Sequence, residues 1–311
     1  MNGNLLAALG WLLRVLLLSS LGGSLHGSAS AGERLPVVAS FSILGDLTQK
    51  VGGDLVEVHT LVGAGADAHV YQPTPSDART LARARLVIVN GLGFEGWIDR
   101  LIKSSGYRGQ LAVASKGVKP IREAHDEGGK GHRHGDDVDP HAWQDVANGG
   151  RYVANIAQAL AAADPANRAT YAANAVRLQE ELAALDREAR SAFAAMPAAQ
   201  RKVVTSHDAF AYFGSAYGIR FIAPVGVSTD AEASAGEVAA IIRQIRREKI
   251  RAIFVENITD PRLLERISRE SGARIGGTLY SDSLSPPGTA GDSYLGMMRH
   301  NIRTLAAALG G

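Results

Sequence analysis

Four residues stand out for the chemistry they could do together: His69, His141, His207 and Asp282. Neutral imidazole and carboxylate are nitrogen and oxygen ligands for a borderline divalent cation, which zinc takes tetrahedrally at about 2.0–2.2 Å. His69 lies in Ala66-Asp67-Ala68-His69-Val70-Tyr71-Gln72-Pro73-Thr74-Pro75-Ser76-Asp77, after the strand-like run with Val56, Val58, Leu61 and Val62 and a Gly63-Ala64-Gly65 turn. Pro73 and Pro75 each fix their own φ and push the preceding residue toward extended geometry, so the loop is stiff. His207 follows the run Lys202 to Ser206, and Asp282 follows Ala273 to Leu279. His141 sits in Asp139-Pro140-His141-Ala142-Trp143. The four are too far apart in sequence to form a local zinc motif. Placement at strand ends, where open α/β sheets bind ligands, leaves two readings open: one shared cation site, or separate surface and packing roles.

The elements that must position these residues alternate. Strands are expected at Leu35–Ser42, Val56–Val62, Leu86–Asn90 and Gln110–Ala114, with helices after Ser42, from Ser76 and over Phe94–Ile102. Near-continuous apolar strands between amphipathic helices imply a parallel sheet covered on both faces. Glu123 to Asp139 is rich in Gly, His and acids, lacks periodicity, and reads as a mobile loop. A helix over Asn148–Ala162 is followed by Asp164-Pro165, which caps and opens another. In that second helix Tyr171, Ala175, Leu178, Leu182, Leu185 and Ala189 recur at helical spacing. Roughly 30 residues at 1.5 Å each span about 45 Å, which suits a strut between two lobes. The alternation then restarts, with strands at Lys202–Ser206, Phe221–Val225, Arg251–Val255 and Ala273–Leu279 and a helical run over Asp208–Tyr217. Ser234 with Glu237 forms a capping box, Asp260-Pro261 opens a further helix, and Met297–Leu309 closes the chain.

The expected architecture is α/β: two lobes, each a four-stranded mainly parallel sheet flanked by helices, joined by one long linker helix, with the site in the cleft between them. The divisions are 1–31, 32–163, 164–196 and 197–311. Residues 1–31, with the single charge Arg14, the apolar run Val15 to Leu18 and Ala29-Ser30-Ala31, read as a secretory signal peptide cleaved near Ala31. A retained membrane anchor is the alternative.

Composition narrows the function. The 311 residues are 46% hydrophobic with a formal charge of +2, and no basic run suggests a nucleic-acid surface. The absence of cysteine excludes disulfides, thiolate metal sites, cysteine nucleophiles and an acylated cysteine. An exported chain of this kind is expected to be soluble and periplasmic in a two-membrane bacterium.

Four ordered segments carry a resemblance: Asp67 to Asp77, Asn90-Gly91-Leu92-Gly93-Phe94-Glu95-Gly96-Trp97, Asp139 to Trp143, and Thr205-Ser206-His207-Asp208-Ala209-Phe210. Together they resemble the TroA/ZnuA-like family, the cluster A-I solute-binding proteins of metal ABC transporters. The resemblance implies metal ligands at His69, His141, His207 and Asp282, limited lobe motion, and delivery of metal to a membrane permease. His207 at the third position suits zinc, where manganese- and iron-binding relatives tend to carry a carboxylate. Zinc relatives often carry an acid before the first His. Here that residue is Ala68, which gives Asp282 more of the argument.

The expectation is therefore a periplasmic carrier that captures Zn2+ and hands it to an ABC importer, acting as a monomer, with a periplasmic metallochaperone as a further partner. Mn2+ is the alternative cargo. A zinc hydrolase is the rival from another class, but catalytic zinc keeps an open position and a nearby base, and there is no His-Glu-x-x-His helix. A metal-carrying surface adhesin has no lipid or wall-attachment signal to support it. His125, His132 and His134 in the glycine-rich loop resemble a shortened form of the His-rich loop of zinc-uptake members, an auxiliary capture site or a solvated loop. Glu256 could orient a ligand imidazole by accepting its second N–H, or pair with an arginine. Trp143 is expected to shield the site, while His26, His59 and His300 receive no role.

Overall fold

The computed structural model describes residues 33–122 and 138–310. The leader expected at residues 1–31 and the histidines His125, His132 and His134 lie outside the described residues. Arg34–Gly311 belongs to one compact unit.

In the first half β1 (Leu35–Phe41), β2 (Val56–Val62), β3 (Leu86–Val89) and β4 (Gln110–Val113) form a parallel sheet of order β2-β1-β3-β4. In the second half β5 (Lys202–Val204), β6 (Arg220–Ile222), β7 (Ala252–Glu256) and β8 (Arg274–Leu279) repeat that order as β6-β5-β7-β8, again parallel. In both sheets the chain leaves its first strand to one side and returns on the other. The crevice beside the carboxyl ends of those strands is where such sheets hold ligands.

Helices α1 (Ser42–Gly52), α2 (Pro75–Arg83) and α3 (Ile98–Ser105) accompany the first sheet, and α4 (Val146–Ala163) leads to α5 (Arg168–Ala194). After α5 come α6 (Ala211–Tyr217), α7 (Ala235–Glu248), α8 (Arg262–Ser271) and α9 (Tyr294–Leu309). The expected strut is α5, 27 residues long, or about 40 Å. Tyr171, Ala175, Leu178, Leu182, Leu185 and Ala189 are all buried along it, and Phe193 extends the stripe. α9 packs on β8 and also against α5 and α1. One hydrophobic core accordingly runs from Val38 and Leu44 of the first sheet region through Leu182 to Met298 and Leu305.

Several expected boundaries shift, each for a local reason. The helix expected from Phe94 begins at Ile98, because Asn90 to Trp97 first winds into tight turns. Gly91, Leu92 and Gly93 all have positive φ, at 82°, 56° and 83°. A Cβ on Gly91 would lie 2.5 Å from Cγ1 of Val113, so glycine is required there on two counts. The helix expected from Asp208 begins at Ala211, because the chain stays paired past β5: His207 bridges Val225, and the Asp208 N–H donates to the carbonyls of Val225 and Gly226 at 3.1 and 3.2 Å. β4 is an exposed edge rather than a covered strand, with Leu111 51% exposed and Val113 38% exposed. Val138 and Asp139, placed in the mobile loop by composition, are held: Val138 bridges Arg122 and the Asp139 N–H bonds the Ile121 carbonyl at 2.9 Å. The capping box of α7 is present, as is a second one on α2, where Thr74 and Asp77 exchange bonds. Among the described residues no helix is long and apolar enough to cross a membrane.

Candidate metal site

His69, His141, His207 and Asp282 meet. One ligand atom from each lies within 4.8 Å of all the others. Nε2 of His69 is 3.3 Å from Nε2 of His141 and 3.2 Å from Oδ2 of Asp282. Nε2 of His207 is 3.1 Å from the same Oδ2, and Nε2 of His141 is 3.4 Å from Oδ1. Ligands at about 2.0–2.1 Å around a tetrahedral ion stand roughly 3.3 Å apart along each edge, so these spacings have the size of a coordination shell. The Asp282 side chain is fully buried, and its Oδ1 has no hydrogen-bond partner. An ionised carboxylate is costly to bury unless a cation or hydrogen bonds compensate it, and a divalent cation among three imidazoles supplies that compensation.

Three of the donors follow strand ends, and His141 follows the Arg122–Val138 bridge. The β2 exit carries His69, whose N–H donates to Oδ1 of Asp67 at 2.9 Å. β5 leads to His207 and β8 to Asp282, while His141 follows Asp139, whose N–H bonds the Ile121 carbonyl. The Tyr280 to Ser283 segment is held from both lobes: Trp143 Nε1 and Gln144 Nε2 donate to the Ser281 carbonyl at 2.9 and 2.7 Å, and Asn257 Nδ2 donates to the Ser283 carbonyl at 3.0 Å. Phe94 and Trp143 stand edge-on to the imidazoles, Phe94 at 4.8 Å from His69 and Trp143 at 5.3 Å from His141. Trp143 therefore shields the site, as expected, and also anchors the Asp282 segment.

Two carboxylates set the imidazoles. Oδ1 of Asp139 lies 2.8 Å from both the backbone N and Nδ1 of His141. Oε1 of Glu256 accepts the N–H groups of Ser206 and His207 at 2.7 and 3.0 Å. Its Oε2 lies 2.6 Å from Nδ1 of His207, an ion-pair contact outside regular hydrogen-bond geometry. With Nδ1 engaged by an acceptor, the proton belongs there and Nε2 is free to bind metal. Glu256 faces a histidine and not an arginine. The role of Asp139 was legible only as a pattern, Asp-x-His, that Asp67-Ala68-His69 and Asp139-Pro140-His141 share. Asn257 and Gln144 had no sequence signal.

Electrostatics follow from this packing. Burial alone would lower His141, but the Asp282 charge and the Asp139 hydrogen bond outweigh it and raise its pKa to about 9. His207 is likewise pushed down by burial and lifted well above its ordinary value by Glu256 and Asp282. Burial would raise Asp282, yet His141 and His207 hold it well below the ordinary carboxylate range.

Three residues that were not assigned as ligands lie beside or away from the cluster. Ala68 is fully buried, and its carbonyl accepts from Trp97 Nε1 at 2.9 Å. His59 is exposed on β2, and His300 contacts the Thr278 carbonyl at 2.9 Å.

Comparison with known proteins agrees with this geometry. The family model of the zinc-uptake complex component A, ZnuA, periplasmic, matches residues 37–308. The manganese ABC transporter substrate-binding lipoprotein PsaA of Streptococcus pneumoniae is 34% identical over 289 residues, covering 91% of each chain. The periplasmic zinc binding protein TroA of Treponema pallidum superposes with a TM-score of 0.82 at 29% identity, covering 89% of this chain and 99% of that one. The Mn-bound periplasmic metal binding protein from Candidatus Liberibacter asiaticus gives 0.78 at 30% identity, covering 88% and 98%. PsaA is named a lipoprotein, whereas the 311 residues here hold no cysteine to acylate. With nearly its whole length matched, the chain belongs to the ZnuA family and is a metal ABC transporter substrate-binding protein, a transport component and not an enzyme.

Proposed function

We propose that the protein captures Zn2+ through His69, His141, His207 and Asp282 and hands it to the membrane permease of an ABC importer. The observation that carries this reading is that Oδ2 of Asp282 lies 3.1 and 3.2 Å from Nε2 of His207 and His69, with His69 Nε2 3.3 Å from Nε2 of His141, spacings that suit bonds of about 2.0–2.1 Å from three nitrogens and one oxygen. Imidazole-rich sites favour zinc over manganese on ligand softness and on the general affinity order. The reading includes export with cleavage near Ala31, a periplasmic monomer, loading by a metallochaperone, and the division into 32–163, 164–196 and 197–311. The test is a competition titration of Zn2+ and Mn2+ on metal-stripped protein, with elemental analysis of the protein as isolated. Zinc recovered at one ion per chain and bound more tightly is expected; equal or tighter manganese binding overturns it.

A second reading, Mn2+ as cargo, has its own support. Both oxygens of Asp282 face imidazoles, Oδ2 toward His69 and His207 and Oδ1 toward His141. A bidentate Asp282 makes five donors, which suits a harder ion better than a tetrahedral one. Manganese in the isolated protein, with zinc absent, would favour it.

A further inference from the structure

The two lobes are tied near the site at unequal strength. Trp143, Gln144, Ser42 and Gly65 of the first lobe all bond the 281–284 segment of the second. The irregular stretch between β6 and α7 makes a single tie. Thr229 Oγ1 donates to Oδ2 of Asp67 at 2.6 Å, and among the described residues this is the only hydrogen bond from that stretch to the first lobe. The other oxygen of Asp67, Oδ1, accepts the backbone N–H of His69 at 2.9 Å. One carboxylate thus joins the backbone of a donor in the first lobe to a hydroxyl of the second.

A cavity of about 600 Å³ lies at this tie, with Asp67, Thr229, His207, Thr259 and Arg262 in its wall. It therefore touches both latch residues and one of the donors. The His207 side chain on this wall is only 1% exposed and that of His69 5%.

We infer that Asp67 and Thr229 are positioning residues that form a latch, setting how long the captured cation stays and opening toward this cavity when it leaves. This rests on metal capture by the four donors. A latch across the closed state adds nothing to the first encounter of the cation with the donors, so its loss appears in dissociation and hardly in association. A hydrogen bond to a charged acceptor, once removed, changes a rate of this kind by about tenfold or more. Thr229 itself touches no donor atom, which separates its effect from loss of a ligand.

The test is stopped-flow release of Zn2+ from the loaded full-length protein into excess chromogenic chelator, with association followed separately. Thr229→Val is expected to release zinc about tenfold faster with association unchanged, and Thr229→Ser, which keeps the hydroxyl, to release at the rate of the unaltered protein. In an Asp67→Ala background Thr229→Val should add little, since the hydroxyl then has no carboxylate left to bond. Unchanged release in Thr229→Val, or a Thr229→Ser protein as fast as Thr229→Val, overturns the latch while leaving metal capture standing. Failure of the unaltered protein to bind zinc at all overturns capture, and the latch with it.

Discussion

Metal binding at this site should expel protons, and the number is set by the carboxylates that face the buried imidazoles. In the metal-free protein Asp282 and Asp139 hold His141 protonated up to about pH 9, and Glu256 with Asp282 holds His207 protonated well above its ordinary value. Only neutral imidazole coordinates a cation. At pH 7 binding therefore displaces nearly two protons from this pair, whereas two imidazoles of ordinary pKa near 6.5 would give up only about half a proton between them. Each proton costs about 1.36 kcal/mol per pH unit, so zinc affinity should fall about a hundredfold from pH 7 to pH 6.

The fold itself should respond in the opposite sense. Raised imidazole pKa values stabilise the metal-free fold fully below about pH 6.5, and that contribution is lost as pH rises through about 9. The depressed Asp282 contributes above its ordinary value near 3.8 and loses this only as pH falls through its lowered value. Isothermal titration in buffers of different ionisation enthalpy counts the protons directly. Release of half a proton or less at pH 7, or an affinity that stays flat between pH 6 and 7, would refute the argument.

Three further outcomes are expected. His69→Ala and His207→Ala should each cost far more zinc affinity than His132→Ala, measured by competition with a chelator of known affinity; equal losses would remove the site assignment. Asp139→Ala and Glu256→Gln leave the four donors in place but release an imidazole from its acceptor, and should each weaken zinc binding about 10–100-fold. An unchanged affinity would make both carboxylates purely structural. Leu182→Ala, at a position 1% exposed in the middle of α5, should cost about 2–5 kcal/mol of stability, read as a shift of the urea midpoint in metal-free protein, with the number of zinc ions bound unchanged.

Much of this molecule was legible in one dimension. All eight expected strands are present, and the central ones, β1, β3, β5 and β7, were the plainest, because a strand covered on both faces of a parallel sheet must be apolar at nearly every position and that composition is visible without a partner. The heptad-like stripe from Tyr171 to Ala189 marks the buried face of α5 for the same reason. His69, His207 and Asp282 could be singled out because each follows a strand end, and the backbone there has nowhere to go except the ligand edge of the sheet.

Other features required the chain to fold back on itself. Whether three imidazoles and a carboxylate meet at one point depends on how two lobes are set, and α9, returning across α5 and α1, is part of what sets them. The pairing of Glu256 with His207 arises because β7 lies beside β5, a neighbour relation that no local pattern encodes. Local periodicity is fixed by whether each side chain faces core or water, and sequence alone reports it. Distances between donors on separate strands are fixed by packing summed over the whole core, and that sum exists only in three dimensions.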